Sequence, residues 1–152
     1  MLLLLFYLGE ERFALDTDVV LEVLPPAELR QLPHAPAYVT GIFRHAGRTV
    51  PVIDLCQLVK GRFCAPRLST RLILVRYANA AGESHALGLL AERVTETVTR
   101  DPADMQPAGI SVTDAPYLGP LVADAQGLIQ VVEVEPLLPQ SLRDSLFVAE
   151  GA

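Results

Sequence analysis

Tyr38-Val39-Thr40-Gly41-Ile42-Phe43-Arg44-His45-Ala46-Gly47-Arg48-Thr49-Val50-Pro51-Val52-Ile53-Asp54-Leu55 is the segment from which the rest of the chain can be read. Residues 38–43 and 48–53 are apolar runs of strand length, bounded by turn residues. His45-Ala46-Gly47 joins them as a hairpin, with glycine available for positive φ. Asp54 then stands where a side-chain oxygen can cap the N-terminus of a short helix over 55–60, and Gly61 ends it.

Upstream, the pattern repeats. Residues 2–8 form an apolar run, Gly9-Glu10-Glu11 turns the chain, and 12–15 runs back. Asp16-Thr17-Asp18 leads into 19–24, which Pro25-Pro26 stops. Over 27–32 the three-residue spacing of Leu29 and Leu32 predicts one helical turn, after which Pro33 and Pro36 hold the chain extended. Downstream, 62–69 reads as a loop, and 71–77 with 84–91 flank a second hairpin over 78–82. Residues 94–99 alternate as a strand with one wet face. A Pro/Gly/Asp-rich connection over 101–114 precedes a last hairpin, 117–123 with 128–134, and a C-terminal helix over 142–148. About nine or ten short strands with hairpin connections predict an all-β domain, barrel or sandwich.

Composition narrows the function. The 152 residues are 51% hydrophobic and 20% charged, with a formal net charge of −6. A chain of this size buries roughly 68–70% of its extended surface, so it needs no metal or disulfide to fold. An acidic balance argues against nucleic-acid or anionic-membrane partners, which reward a basic field. Twelve prolines exclude a long-helix bundle. The apolar N-terminal run has no basic residue ahead of it and ends at Gly9, far short of the ~20 residues of a membrane span. The expected location is cytoplasmic, without membrane insertion. Cys56 and Cys64 are not at a zinc or redox spacing, and His34, His45 and His85 lie in unrelated segments. Two reduced thiols and no cofactor or metal are expected.

Catalytic motifs are weak. Gly82-Glu83-Ser84-His85-Ala86 lacks the second glycine of a nucleophile elbow and enters a strand rather than a helix. Gly41 and Gly47 have phosphate-loop spacing, but Arg48 replaces the lysine and strands flank them. The carboxylate pairs Asp16/Asp18, Asp101/Asp104 and Glu133/Glu135 fall at turns or on polar strand faces. No nucleophile, base and orienting group assemble. More unusual are 19–24 and 84–91, strands apolar on both faces, which either lie inside a core or form a protein-binding surface.

The segment 38–55 resembles the CheW-like domain, the coupling module of bacterial chemotaxis. The family pattern is V-x-G-[hydrophobic]2-N-x-R-G, followed by [hydrophobic]-P-[hydrophobic]2-D-L. Gly41, Gly47, Pro51, Asp54 and Leu55 match it without a gap. Leu87-Gly88-Leu89-Leu90-Ala91-Glu92-Arg93-Val94 is similar to the family's V-G-[hydrophobic]3-D-x-V. Residues 6–23 resemble its first strands and 128–138 its ending, so the likeness spans nearly the whole chain.

The resemblance implies a single domain over 1–152: two intertwined five-stranded SH3-like barrels, with short helical turns and a C-terminal helix. It implies a non-enzymatic adaptor with two partners. One is the cytoplasmic tip of a methyl-accepting chemoreceptor; the other is the regulatory domain of a CheA-type histidine kinase. Recruitment to membrane receptor arrays follows from those partners. It places receptor- or kinase-binding positions at Val20, Glu22, Val23, Gly41 and Leu87. Where the family has Asn and then Arg, this chain has Arg44 and Ala46, so Arg44 or Arg48 is expected to supply the charge. That departure fits an alternative, Wsp-type pathway whose output is a diguanylate cyclase. From the residues alone, a small ligand-binding or hydrolytic β-barrel and a detached kinase-regulatory fragment remain open.

Overall fold

The computed structural model describes residues 1–78, 82–107 and 115–148. Its strands are β1 (Leu2–Leu8), β2 (Glu11–Asp16), β3 (Val20–Leu24), β4 (Val39–His45), β5 (Arg48–Asp54), β6 (Arg71–Ala78), β7 (Ser84–Thr99), β8 (Leu118–Asp124) and β9 (Gly127–Val132). The helices are α1 (Leu55–Lys60) and α2 (Gln140–Val148), with single 3-10 turns at Thr17–Val19, Pro102–Asp104 and Glu135–Leu137. The all-β reading holds. The expected hairpin over 78–82 and connection over 101–114 fall partly outside the described residues.

Two five-stranded groups share β7. Its first half pairs antiparallel with β6 and parallel with β5, which also pairs β4; β3 lies on the far side of β6. Its second half pairs with β1, which leads through β2 to a parallel contact with β9 and on to β8. The sequence reading broke 84–99 into two strands at Glu92-Arg93, but the strand is continuous. Arg93 takes a positive φ of 47° there, and the β1 register shifts between Leu5 and Tyr7. Such a bulge bends a strand without ending it. The Arg93 guanidinium lies 5.2 Å from the Tyr7 ring centroid, packing the bend against β1.

Apolar residues on both faces of the strands have a place to go. Leu4, Phe6 and Leu8 of β1, Ile73, Val75 and Tyr77 of β6, and Leu87, Leu89 and Ala91 of β7 share one central core. The alternate residues face two smaller cores. Leu3 and Leu5 meet Ala14, Ile129 and Val131 in one. Leu72 and Leu74 meet Val50 and Val52 in the other.

The central segment folds as read. His45 pairs with Arg48 across a two-residue turn in which Ala46 and Gly47 have φ of 53° and 79°, the hand that matches strand twist. The Asp54 carboxylate accepts the Gln57 N–H at 3.1 Å and caps α1. The expected helical turn over 27–32 is absent. Arg30 instead exchanges backbone hydrogen bonds with Ile42 at 2.8 Å, and Leu29 packs on the β5–β6 core.

That crossing accounts for Gly41. A Cβ there would meet the Arg30 carbonyl oxygen at 2.8 Å and the Leu29 Cβ at 2.9 Å. Gly41→Ala is therefore expected to destabilise the fold by about 1–3 kcal/mol, read by urea unfolding.

At the opposite end, Arg12 reaches Asp124 with two nitrogens, at 2.5 and 3.0 Å, and Arg100 adds a third contact at 3.0 Å. These guanidiniums, Arg12 foremost, hold the Asp124 carboxyl far below its ordinary range. Between the folded and unfolded values the unfolded chain binds the extra proton, so stability rises with pH there. The Asp124 contribution is complete above about pH 4 and fades as the pH falls toward and below 2. In urea titrations across that range, Asp124→Asn is expected to be less stable than the parent at neutral pH and to lose less on acidification.

Candidate functional site

β3 departs from its neighbours in one respect. It pairs only with β6 in the sheet order, and the register shifts between Val20 and Glu22, leaving Leu21 as a bulge. The result is three consecutive exposed residues, Leu21, Glu22 and Val23, with Leu21 52% and Val23 42% exposed. Val20 is half-buried and packs on the central core. Neighbouring aliphatics exposed on one strand leave apolar surface in water, whose burial gains about 25 cal/mol per Å2.

The β4–β5 hairpin is tied to this strand. The His45 Nε2 lies 2.9 Å from a Glu22 carboxylate oxygen. The His45 ring also packs beside Phe43, with centroids 6.0 Å apart. Arg44 folds over the turn and donates to the Gly47 carbonyl at 2.9 Å, while exposed Arg48 stands opposite His45 in the ladder. Val20, Glu22, Val23, Arg44 and Arg48 thus belong to two elements joined by one hydrogen-bonded pair. Leu21, Glu22 and Val23 are exposed on the first element, and Arg44 and Arg48 on the second. The missing alternation over 19–24 singled out the strand, but the bulge that turns Leu21 outward leaves no local trace.

Two predicted contact residues must be corrected. Leu87 is 0% exposed, opposite Val75 in the ladder and inside the central core. The first half of β7 runs between β5 and β6, so this face has no access to a partner. Gly41 is also buried, covered by the 29–30 crossing. Both are structural positions.

The catalytic alternatives gain nothing from the geometry. Ser84 opens β7 opposite Ala78, on a ladder rather than a strained elbow. Asp16 and Asp101 accept N–H bonds from Asp18 and Ala103, as turn carboxylates do. A cleft of about 500 Å3 is lined by Val19, Pro120, Val134 and Pro136, with Arg76 and Glu133 among its polar groups. Arg76 there donates to the Asp18 carbonyl at 2.8 Å. The two thiols, not at a zinc or redox spacing in sequence, lie together beside Asp54.

The family model of the CheW-like domain matches residues 2–141. The chain belongs to the CheW-like domain family. Among curated relatives, this CheW-like chain is 24% identical to the chemotaxis protein CheW of Rhizobium meliloti over 145 residues, 94% of this chain and 90% of the relative. It is 28% identical to the chemotaxis protein CheW of Treponema pallidum over 137 residues, 89% and 80% of the two chains. The crystal structure of the scaffolding protein TtCheW from Thermoanaerobacter tengcongensis superposes with a TM-score of 0.79 at 23% identity, covering 91% of this chain and 87% of that one. That likeness confirms the fold of this CheW-like chain.

The Glu22–His45 pair is exposed, and exposed ion pairs contribute roughly 0–1 kcal/mol. Urea unfolding is expected to move by less than that for Glu22→Gln, whereas Leu87→Ala should cost about 2–5 kcal/mol, as a large-to-small core substitution does.

Proposed function

We infer that this chain is a chemotaxis adaptor of the CheW type, non-enzymatic, that couples chemoreceptors to a CheA-type histidine kinase. Membership of the family over nearly the full length supports that reading. The single structural observation behind the site assignment is the exposed Leu21-Glu22-Val23 bulge joined through His45 to the arginine-bearing hairpin.

On this reading the adaptor acts as one domain whose two strand groups are small SH3-like barrels. The β3 patch docks the helical cytoplasmic tip of a methyl-accepting receptor. Leu21 and Val23 supply the apolar contact, Val20 supports the strand from beneath, and Glu22, Arg44 and Arg48 fix register at the rim. The kinase's regulatory domain occupies a second surface. To transmit a signal, the adaptor must bind the kinase's two activity states with different affinity, since a ligand indifferent to them shifts nothing.

The adaptor works in the cytoplasm, gathered at membrane receptor arrays through its partners. Among the described residues no helix is long and apolar enough to cross a membrane. Arg44 and Ala46 at the hairpin favour a Wsp-type pathway with diguanylate cyclase output over flagellar control.

The test is co-sedimentation with a chemoreceptor cytoplasmic fragment and its kinase. Leu21→Asp/Val23→Asp is expected to lose receptor binding by at least about tenfold, while urea unfolding shows a retained fold. Arg48→Glu should weaken it in the same direction. Undiminished assembly by both variants removes β3 and the hairpin from the receptor surface.

A further inference from the structure

Asp54, Cys56 and Cys64 come together although a helix and a tight reversal separate the thiols in sequence. One ligand atom from each, the two Sγ atoms and a carboxylate oxygen, lie within 4.8 Å of one another. Cys56 is on the first turn of α1 and fully buried; Asp54 is 3% exposed. The chain reverses at Gly61, with φ of 75°, and brings half-buried Cys64 back over the cap. The Cys64 N–H reaches both Asp54 oxygens, at 3.0 and 3.3 Å, and its thiol donates to the Leu90 carbonyl at 3.5 Å. Behind them sits Glu92, 5% exposed, accepting from Gly9 at 2.9 Å and from Ala65 at 2.7 Å, with the Cys56 thiol against its carboxylate.

We propose that this cluster is a binding site for a soft divalent cation of the zinc class, held by the Cys56 and Cys64 thiolates and the Asp54 carboxylate, with a fourth position left to solvent. Capping α1 requires Asp54 alone and gives no reason for two thiols to meet there. Thiolate ligands select zinc-class ions over magnesium or calcium. Around a tetrahedral zinc, with Zn–S of about 2.3 Å and Zn–O of about 2.0–2.2 Å, neighbouring donors stand roughly 3.4–3.8 Å apart. The three ligand atoms, all within 4.8 Å of one another, are close to that spacing. A carboxylate oxygen that accepts one N–H keeps a lone pair for the metal.

Binding of a cation among these donors proceeds with release of the two thiol protons to solvent. The nearby Arg62 offsets part of the negative field. Bound metal would clamp the base of loop 61–69, whose tip carries exposed Phe63 and Leu68.

Cobalt titration of the reduced, full-length protein tests this. A thiolate-to-metal charge-transfer band is expected to saturate at one equivalent of Co2+, to bleach when Zn2+ displaces it, and to vanish in Cys64→Ser. Zn2+ should raise the melting temperature of the parent and leave that of Cys64→Ser unmoved. Cys56→Ala, checked for folding by circular dichroism, should also lose the band. A parent protein with no charge-transfer band, or a Cys64→Ser variant that keeps it at parental affinity, overturns the proposal.

Discussion

Everything in this molecule depends on two strand groups being pressed against each other over a shared apolar core. A sheet with one wet face can alternate polar and apolar residues, and here the main strands cannot. β1, β6 and the first half of β7 each send one set of side chains to the central core and the other to a smaller one. That requirement explains a chain 51% hydrophobic with modest aromatic content. It also makes β7 the joint of the structure. One strand belongs to both groups because Arg93 lets it bend without breaking.

The same constraint creates the proposed docking surface by exception. β3 pairs with β6 at one end of the strand order, and its residues 21–23 are exposed. Leu21 and Val23 are as apolar as the residues of β7 but lie in water. An adaptor with no reaction to catalyse needs such a face, positioned by a rigid core, and a charged rim to set the partner's register.

Local chemistry made some elements readable in the sequence. Leu2–Leu8 and Leu55–Lys60 have the expected bounds because turn residues, the Asp54 cap and Gly61 punctuate them. The order of Gly41, Gly47, Pro51 and Asp54 carried the family as well. What stayed hidden was tertiary. Residues 19–24 and 84–91 look alike in sequence, yet Leu87 is sealed in the core and Leu21 is open, because only the layers around each strand differ. Leu29 and Leu32 mimic helical spacing, while pairing with Ile42 holds that segment extended. Cys56 and Cys64 look unrelated until the Gly61 reversal folds one onto the other.

The strand order also dictates a sequence of events during synthesis. β3 to β6 and the first half of β7 are contiguous in the chain, with Val20 pairing Val75 as the farthest of their contacts. The other group begins with β1 and β2 and is completed only by β9, since Arg12 pairs with Ile129. The β1–β2 hairpin therefore leaves the ribosome well before β9, and the β2 edge stays unpaired meanwhile. Long-range parallel pairing of this kind is slow. The hazard for this chain lies in that interval, when two highly apolar strands are finished and their partner has not yet been made.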